Sequence, residues 1–280
     1  MRIKEFIDYM NDIAPLNYAE SWDHCGLQFG REDRELTGVI LALDLLPQVL
    51  DLAIEKGCNL IFTHHPAIFQ PLQTITNKSV ETELVLKCIE HGVAVFSAHT
   101  NLDNAVGGVN DALLAKLGYT AQWTPIPSEL EVQDTKIFDG PLTEGIPKTV
   151  RPGSMRALAL PNPMQRKVLT WTINQTLLTS GCMINFDTDG PVERLAVSGG
   201  SFPGEWIGIL QDQEIDFLLN GEIKYHDMLS MAGLGIACVA CGHDTSERVV
   251  LEPLAKQFKM DDVAPKIEVY GGLNYNNIVF

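Results

Sequence analysis

Apolar residues fall along this chain in two kinds of block. Ile3, Phe6, Ile7, Met10 and Ile13 keep helical spacing and predict an amphipathic helix that Pro15 ends. Val39 to Leu43 is instead an uninterrupted apolar run, which predicts a buried strand. Pro47 suits the first turn of a following helix that runs to about Lys56, with Gly57 as its C-cap. A second apolar run, Leu60, Ile61 and Phe62, stops abruptly at His64, His65 and Pro66. Proline cannot continue a central strand, so both imidazoles are expected where the strand leaves its sheet. Residues 79 to 91 predict another helix, with Val80, Leu84, Leu86 and Ile89 as its apolar positions and Gly92 as its stop. The strand VAVFSA then delivers HTNLD, His99 to Asp103.

Helix, glycine, apolar strand and histidine thus occur twice in the same order, with seven residues from Gly57 to His64 and seven from Gly92 to His99. A third instance lies near the C-terminus. A helix from about Tyr225 to Ala232 leads through Gly235 to the strand IACVA, then to GHDTSE with His243 and Glu247. Such alternation predicts a largely parallel sheet with right-handed crossovers. Its strand ends share one edge, which is where open α/β sheets bind ligands.

The middle of the chain is less regular. Residues 121 to 153, rich in Pro, Gly, Thr and acid, read as a connection between domains. Met155–Leu160, Cys182–Phe186, Arg194–Val197 and Ile215–Leu219 read as strands, the last leading to GEIKYHD, and Met164–Leu178 as a helix. SGGSFPGEW reads as a tight glycine-rich turn, since it lacks the lysine and spacing of a nucleotide-binding loop. ESWDHCGLQFG, residues 20 to 30, has no clear period and reads as a loop or irregular strand. The pattern therefore predicts an α/β protein of two domains, with mostly parallel or mixed sheets flanked by helices. Residues 1–122 would carry HHP and HTNLD. Residues 123–280 would carry GEIKYHD and GHDTSE, with the C-terminal segment able to pack back on the first domain.

A length of 280 residues accommodates two domains, and a hydrophobic fraction of 45% excludes general disorder. The net charge of −16 repels polyanions and argues against nucleic acid as a partner. No apolar run approaches the roughly 20 residues of a membrane span, and the N-terminus lacks the pattern of a signal peptide. Six cysteines scattered through apolar segments suit reduced thiols in the cytoplasm. Cys238 and Cys241 form a CxxC, but within IACVACG and with no second pair they read as strand packing.

The polar residues at the strand ends are His64, His65, His99, Asp103, Glu222, His226, His243 and Glu247. Imidazole with carboxylate suits Zn, Fe, Mn, Co or Ni, whereas magnesium and calcium prefer all-oxygen shells. Adjacent side chains on an extended segment point apart, so His64 and His65 could serve two different ions. Two ions about 3.5–4 Å apart activate water for hydrolysis. His243 and Glu247, like His99 and Asp103, are four positions apart. Directly after strands, such pairs are expected in a loop and first helical turn, where Glu247 would also gain from the helix N-terminus. His24 is a lone loop histidine with no assigned partner.

WDHCGL, FTHHPAIF, AHTNLD, GEIKYHD and GHDTSE, in that order, resemble the NGG-interacting-factor-like family, often labelled GTP cyclohydrolase I type 2 homologues. The likeness covers about the first 110 and last 80 residues. It implies two α/β domains with a dinuclear metal site at their interface, assembled into a ring-shaped hexamer in the cytoplasm. It also implies two divalent ions per chain, with His64 and His243 on one, His65 and Asp103 on the other, and Glu247 bridging. His99 and Glu222 would stand close by as catalytic or supporting groups. Where the family has WDN this chain has WDH, so His24 departs from the pattern. The implied activity is metal-dependent hydrolysis of a nucleotide or other small molecule, by analogy with opening of the GTP imidazole ring. The alternative is a non-catalytic metal-binding scaffold that presents a ring-shaped surface to protein partners.

Overall fold

The computed structural model describes residues 1–119, 124–126, 140–141, 143, 152–179 and 181–272. The domain boundary expected at residue 122 lies outside these residues, as does most of the connection expected over 121–153. Elements of the N-terminal part are α1 (Ile3–Ile13), β1 (Gly26–Phe29), β2 (Val39–Ala42), α2 (Pro47–Lys56), β3 (Leu60–Thr63), α3 (Val80–Glu90), β4 (Ala94–Ser97), α4 (Thr100–Asn104) and α5 (Val109–Lys116). Then come β5 (Thr124–Ile126), β6 (Met155–Gln165), α6 (Arg166–Leu177), β7 (Met183–Ile184), β8 (Pro191–Ser201), α7 (Ile207–Asp212) and β9 (Phe217–Glu222). The chain closes with α8 (Tyr225–Gly233), β10 (Ala237–Ala240), α9 (His243–Glu247), α10 (Leu251–Met260) and β11 (Ile267–Val269).

These elements form two compact units. Among the described residues, one comprises those within Met1–Ala105, Lys136–Leu142 and Leu251–Leu273, and the other those within Val106–Thr135 and Thr143–Val250. The first unit is a five-stranded sheet in the order β1-β4-β3-β2-β11. Its four strands β4, β3, β2 and β11 are parallel, and β1 closes the edge antiparallel to β4. Strand alternation divides the core between the two faces. Ile40, Ala42, Ile61 and Val95 meet Val49, Leu50 and Ala53 of α2 and Leu84 and Cys88 of α3. On the other face Phe62 and Phe96 pack edge-on or stacked with Phe6 of α1 and Phe258 of α10.

The helix α3 buries Thr82, Leu84, Val85 and Cys88. Val80 and Ile89, which the sequence pattern placed on its apolar face, are exposed. The helix docks through Thr82, Leu84, Val85 and Cys88, and Val80, its first residue, and Ile89 fall outside that set.

The second unit is a six-stranded sheet in the order β5-β6-β8-β9-β10-β7. Here β8, β9 and β10 are parallel and the flanking strands antiparallel. Met155, Ala196, Leu218 and Cys238 pack with Leu210 of α7 and Met228 and Met231 of α8. The glycine-rich segment SGGS is not a tight turn. It continues β8 to Ser201, with an irregularity in its pairing to β9 between Ser198 and Ser201. Two glycines let the strand bend there without ending it.

Cys238 lies in β10, and burial pushes the Cys88, Cys238 and Cys241 thiols up to about 12. Iodoacetamide at neutral pH is therefore expected to leave these three unmodified in the native protein and to alkylate all three in urea, read by peptide mass spectrometry. Rapid native labelling of Cys238 would contradict strand packing as its role.

Candidate metal centre

In the first unit the rows Ala42, Thr63 and Ser97 align across β2, β3 and β4. The residues that follow, Asp44, His64, His65 and His99, therefore leave the sheet at one edge. His64 and His65 do not point apart. Their ring centroids are 5.1 Å apart, and His99 lies 5.3 Å from the first and 5.6 Å from the second. The extended alternation has ceased by then, because His64 N–H and His65 N–H both donate to the neighbouring strand's side, to Ala42 O and Leu43 O. One ring nitrogen from each histidine lies within 4.8 Å of those of the other two.

The opposite ring nitrogens are held. His64 Nδ1 lies 2.9 Å from Ala98 O, and a carbonyl only accepts, so Nδ1 carries the proton of the neutral ring and leaves the lone pair on Nε2. His65 Nδ1 donates to Asp44 Oδ1 at 2.8 Å and His99 Nδ1 to Asp23 Oδ1 at 2.9 Å. Such partners fix ring orientation and raise basicity at metal-binding histidines. Asp103, in α4, places Oδ1 3.5 Å from His64 Nε2. His64 is fully buried, so no bulk water screens this cluster's floor.

Asp23 is the part of this arrangement that sequence reasoning missed. Its carboxylate accepts from His99 Nδ1, from Thr100 N–H at 3.0 Å and Thr100 O–H at 2.5 Å, and from the Cys25 thiol at 3.1 Å. Burial pushes the Asp23 carboxyl up, but the hydrogen bonds from His99 and Thr100 outweigh it and hold the group well below the usual carboxylate range. Burial and the Asp23 charge push Cys25 up to about 12. Asp44 was likewise missed; its only signal was its place at the end of an apolar run.

In the second unit Ser198, Asn220 and Ala240 align across β8, β9 and β10. Glu222 and His243 follow at that edge. His243 opens α9 and Glu247 ends it, so the pair shares one helical face rather than a loop, and Glu247 lies away from the helix N-terminus. His243 Nδ1 is 3.1 Å from Glu222 Oε2, and His243 Nε2 is 3.2 Å from Glu247 Oε1. Glu222 is mostly exposed, whereas Glu247 is buried. His226 takes no part in this group. It faces solvent on α8 with its ring 5.2 Å from that of Tyr225. In the first unit His24 is also exposed, beside Asp23.

Glycines shape this second group. Gly200 has φ +63°, and a Cβ there would collide with Glu247 Oε1 and stand 3.6 Å from His243 Nε2. At Gly221 a Cβ would meet Ser246 Oγ and lie 2.7 Å from Gly200 O. Ser246 Oγ accepts from Gly200 N–H at 3.0 Å and donates to His243 O at 2.7 Å, tying strand to helix. Gly200→Ala is thus expected to lower the unfolding free energy by about 1–3 kcal/mol through backbone strain and displacement of Glu247. Urea denaturation with an unchanged m-value would measure it.

Residues 1–271 match the Duf34/NIF3 (NGG1p interacting factor 3) family. The chain belongs to that family. It is 32% identical over 242 residues to the GTP cyclohydrolase 1 type 2 homolog of Lactococcus lactis, covering 84% of each chain. It is 27% identical over 259 residues to the protein of the same name from Clostridium perfringens, covering 92% of each. A solved structure of a Staphylococcus aureus hypothetical protein matches all of this chain and 99% of its own, with 27% identity and a TM-score of 0.85. The Duf34/NIF3 chain is thus a mixed α/β protein with helix-flanked sheets, as the sequence pattern predicts. Among the described residues no helix is long and apolar enough to cross a membrane.

Proposed function

We propose that this Duf34/NIF3 chain is a metal-dependent hydrolase that holds two divalent cations and acts on a nucleotide or another small molecule. The observation that carries the reading is the triangle of His64, His65 and His99, each with its Nδ1 committed to an acceptor and with one ring nitrogen from each within 4.8 Å of those of the other two. That donor set fits zinc, iron, manganese, cobalt or nickel. In this reading His64, His65 and Asp103 supply ligands from the first unit and His243 and Glu247 from the second, with Glu247 shared by both ions. When bound, the pair would lower the pKa of a water and polarise the scissile bond.

The chain's own groups do the rest. Glu222 holds the Nδ1 proton of His243. Glu247, buried beside Gly200, has its carboxylate position set by the strand against it. His99, oriented by Asp23, is available to stabilise charge or relay a proton at Nε2. The names of the curated relatives support a nucleotide-like substrate. Six free thiols suit the cytoplasm, and a ring-shaped hexamer completes the reading.

Elemental analysis of protein purified without added metal or chelator tests it, with wild type beside His64→Ala and Glu247→Ala. About two transition-metal ions per chain, lost in both variants, are expected. Turnover should vanish in Glu247→Gln with the circular dichroism unchanged. Wild type that stays metal-free after reconstitution would overturn the proposal. Sedimentation equilibrium at six times the chain mass tests the assembly.

A further inference from the structure

A cavity of about 450 Å³ opens beside Asp23, with Leu16, Leu27 and Ile68 as apolar walls and Asp23, His24 and Gln28 as polar ones. Its size is that of a small-molecule pocket. Most of its polar atoms are already committed. Asp23 serves His99 and Thr100, while Gln28 donates to His24 O at 2.7 Å and accepts from Ile68 N–H at 3.3 Å. The His24 imidazole is the exposed polar group on the wall.

Two aromatic side chains adjoin the cavity's walls in the chain. Trp22 precedes Asp23 and Phe69 follows Ile68. Their rings are 6.2 Å apart, yet Trp22 is 55% and Phe69 43% exposed. Trp22 also stands edge-on to His99 at 6.1 Å. Large aromatic rings left in water next to a pocket are the usual mark of a surface that a ligand covers. Among the described residues none that lines the cavity is lysine or arginine, and the chain carries a net charge of −16, so the cavity wall itself offers no side chain to pair with a polyphosphate.

We propose that Trp22, Phe69 and the cavity bearing His24 form a subsite for a planar, uncharged heteroaromatic ring. The ligand class is a nucleoside or base-like heterocycle, in preference to a nucleoside triphosphate. The ring stacks on Trp22 and Phe69, and His24 hydrogen-bonds its polar edge. This deepens the hydrolase reading, on which it rests only for the bond to be cleaved, by placing the substrate's ring next to His99.

Isothermal titration of the wild-type chain with guanosine, uridine, GTP and ribose 5-phosphate tests the subsite. Guanosine and uridine are expected to bind, GTP to bind no tighter than guanosine, and ribose 5-phosphate to give no heat of binding. Trp22→Ala and Phe69→Ala should each weaken guanosine about 5- to 150-fold, the range for losing one base-stacking ring. Trp22→Phe should retain most of the affinity. Both side chains are exposed, so thermal melts of the variants should match wild type. No nucleoside binding, equal binding by Trp22→Ala, or GTP tighter than guanosine in both wild type and Trp22→Ala would overturn the proposal. Elemental analysis of the same samples separates the two readings. Metal-loaded protein that binds no nucleoside removes the subsite alone, and metal-free protein that binds guanosine keeps the subsite while the hydrolase reading falls.

Discussion

Arg156→Ala is expected to destabilise the protein by about 3–5 kcal/mol, and Asp111→Ala by a similar amount. Arg156 and Asp111 both lie in the second unit, on β6 and α5, with side chains 0% and 1% exposed. Their contact is bidentate, Nε to Oδ1 at 2.8 Å and Nη2 to Oδ2 at 3.1 Å. The remaining polar atoms also find partners. Arg156 Nη1 donates to Gly153 O, and Asp111 Oδ2 accepts from Gly107 N–H at 2.6 Å. Removing either member leaves the other as a charge stranded out of water, which costs far more than the pair's own net attraction. The distinguishing measurement is a double-mutant cycle by urea denaturation. Arg156→Met combined with Asp111→Leu should cost clearly less than either alanine variant, because no buried charge remains. Single variants within about 0.5 kcal/mol of wild type would show that water reaches the pair.

The second large effect concerns Asp23. Asp23→Ala is expected to weaken divalent-metal binding by about 10- to 100-fold, although Asp23 is not proposed as a ligand. Without its carboxylate, His99 loses the acceptor that fixes the proton on Nδ1, and Thr100, which opens the helix α4 that carries the proposed ligand Asp103, loses the partner of both its N–H and its O–H. Competition against a chelating dye would give the affinity, with zinc and manganese as probes. Nitrogen-15 chemical shifts of the His99 ring would report the tautomer directly. A positioning role requires both to change, with Asp23→Asn intermediate because one amide oxygen can still accept. Unchanged metal affinity with an altered tautomer would show that Asp23 positions His99 alone and not the proposed ligands.

Part of this site could be read without the fold. His64 and His65 were found because Pro66 stops an apolar run, and His99 and His243 because each repeats the same order of helix, glycine and strand. The supporting groups carry no such local signal. Asp23 reaches His99 across 76 positions, Asp44 reaches His65 across 21, and Arg156 reaches Asp111 across 45. Arg156 sits in MRALAL, where an apolar strand pattern gives no hint that a fully buried cation is paired from another element.

The sequence by itself therefore determined the elements and where their chemistry emerges, because runs, periods, prolines and glycines act on the chain within a few residues. The kind and order of most helices and strands followed from these local signals, although β6 and β8 run several residues beyond the strands that the sequence pattern predicts, and the parallel alternation followed from that order. Only the tertiary structure decided which way the emerging side chains turn. The His64 and His65 rings converge because β2 draws two successive N–H groups to one side, and SGGS runs on as strand because Glu247 needs the room that glycine leaves. Those outcomes depend on neighbours brought close by folding, and no periodicity along the chain encodes them.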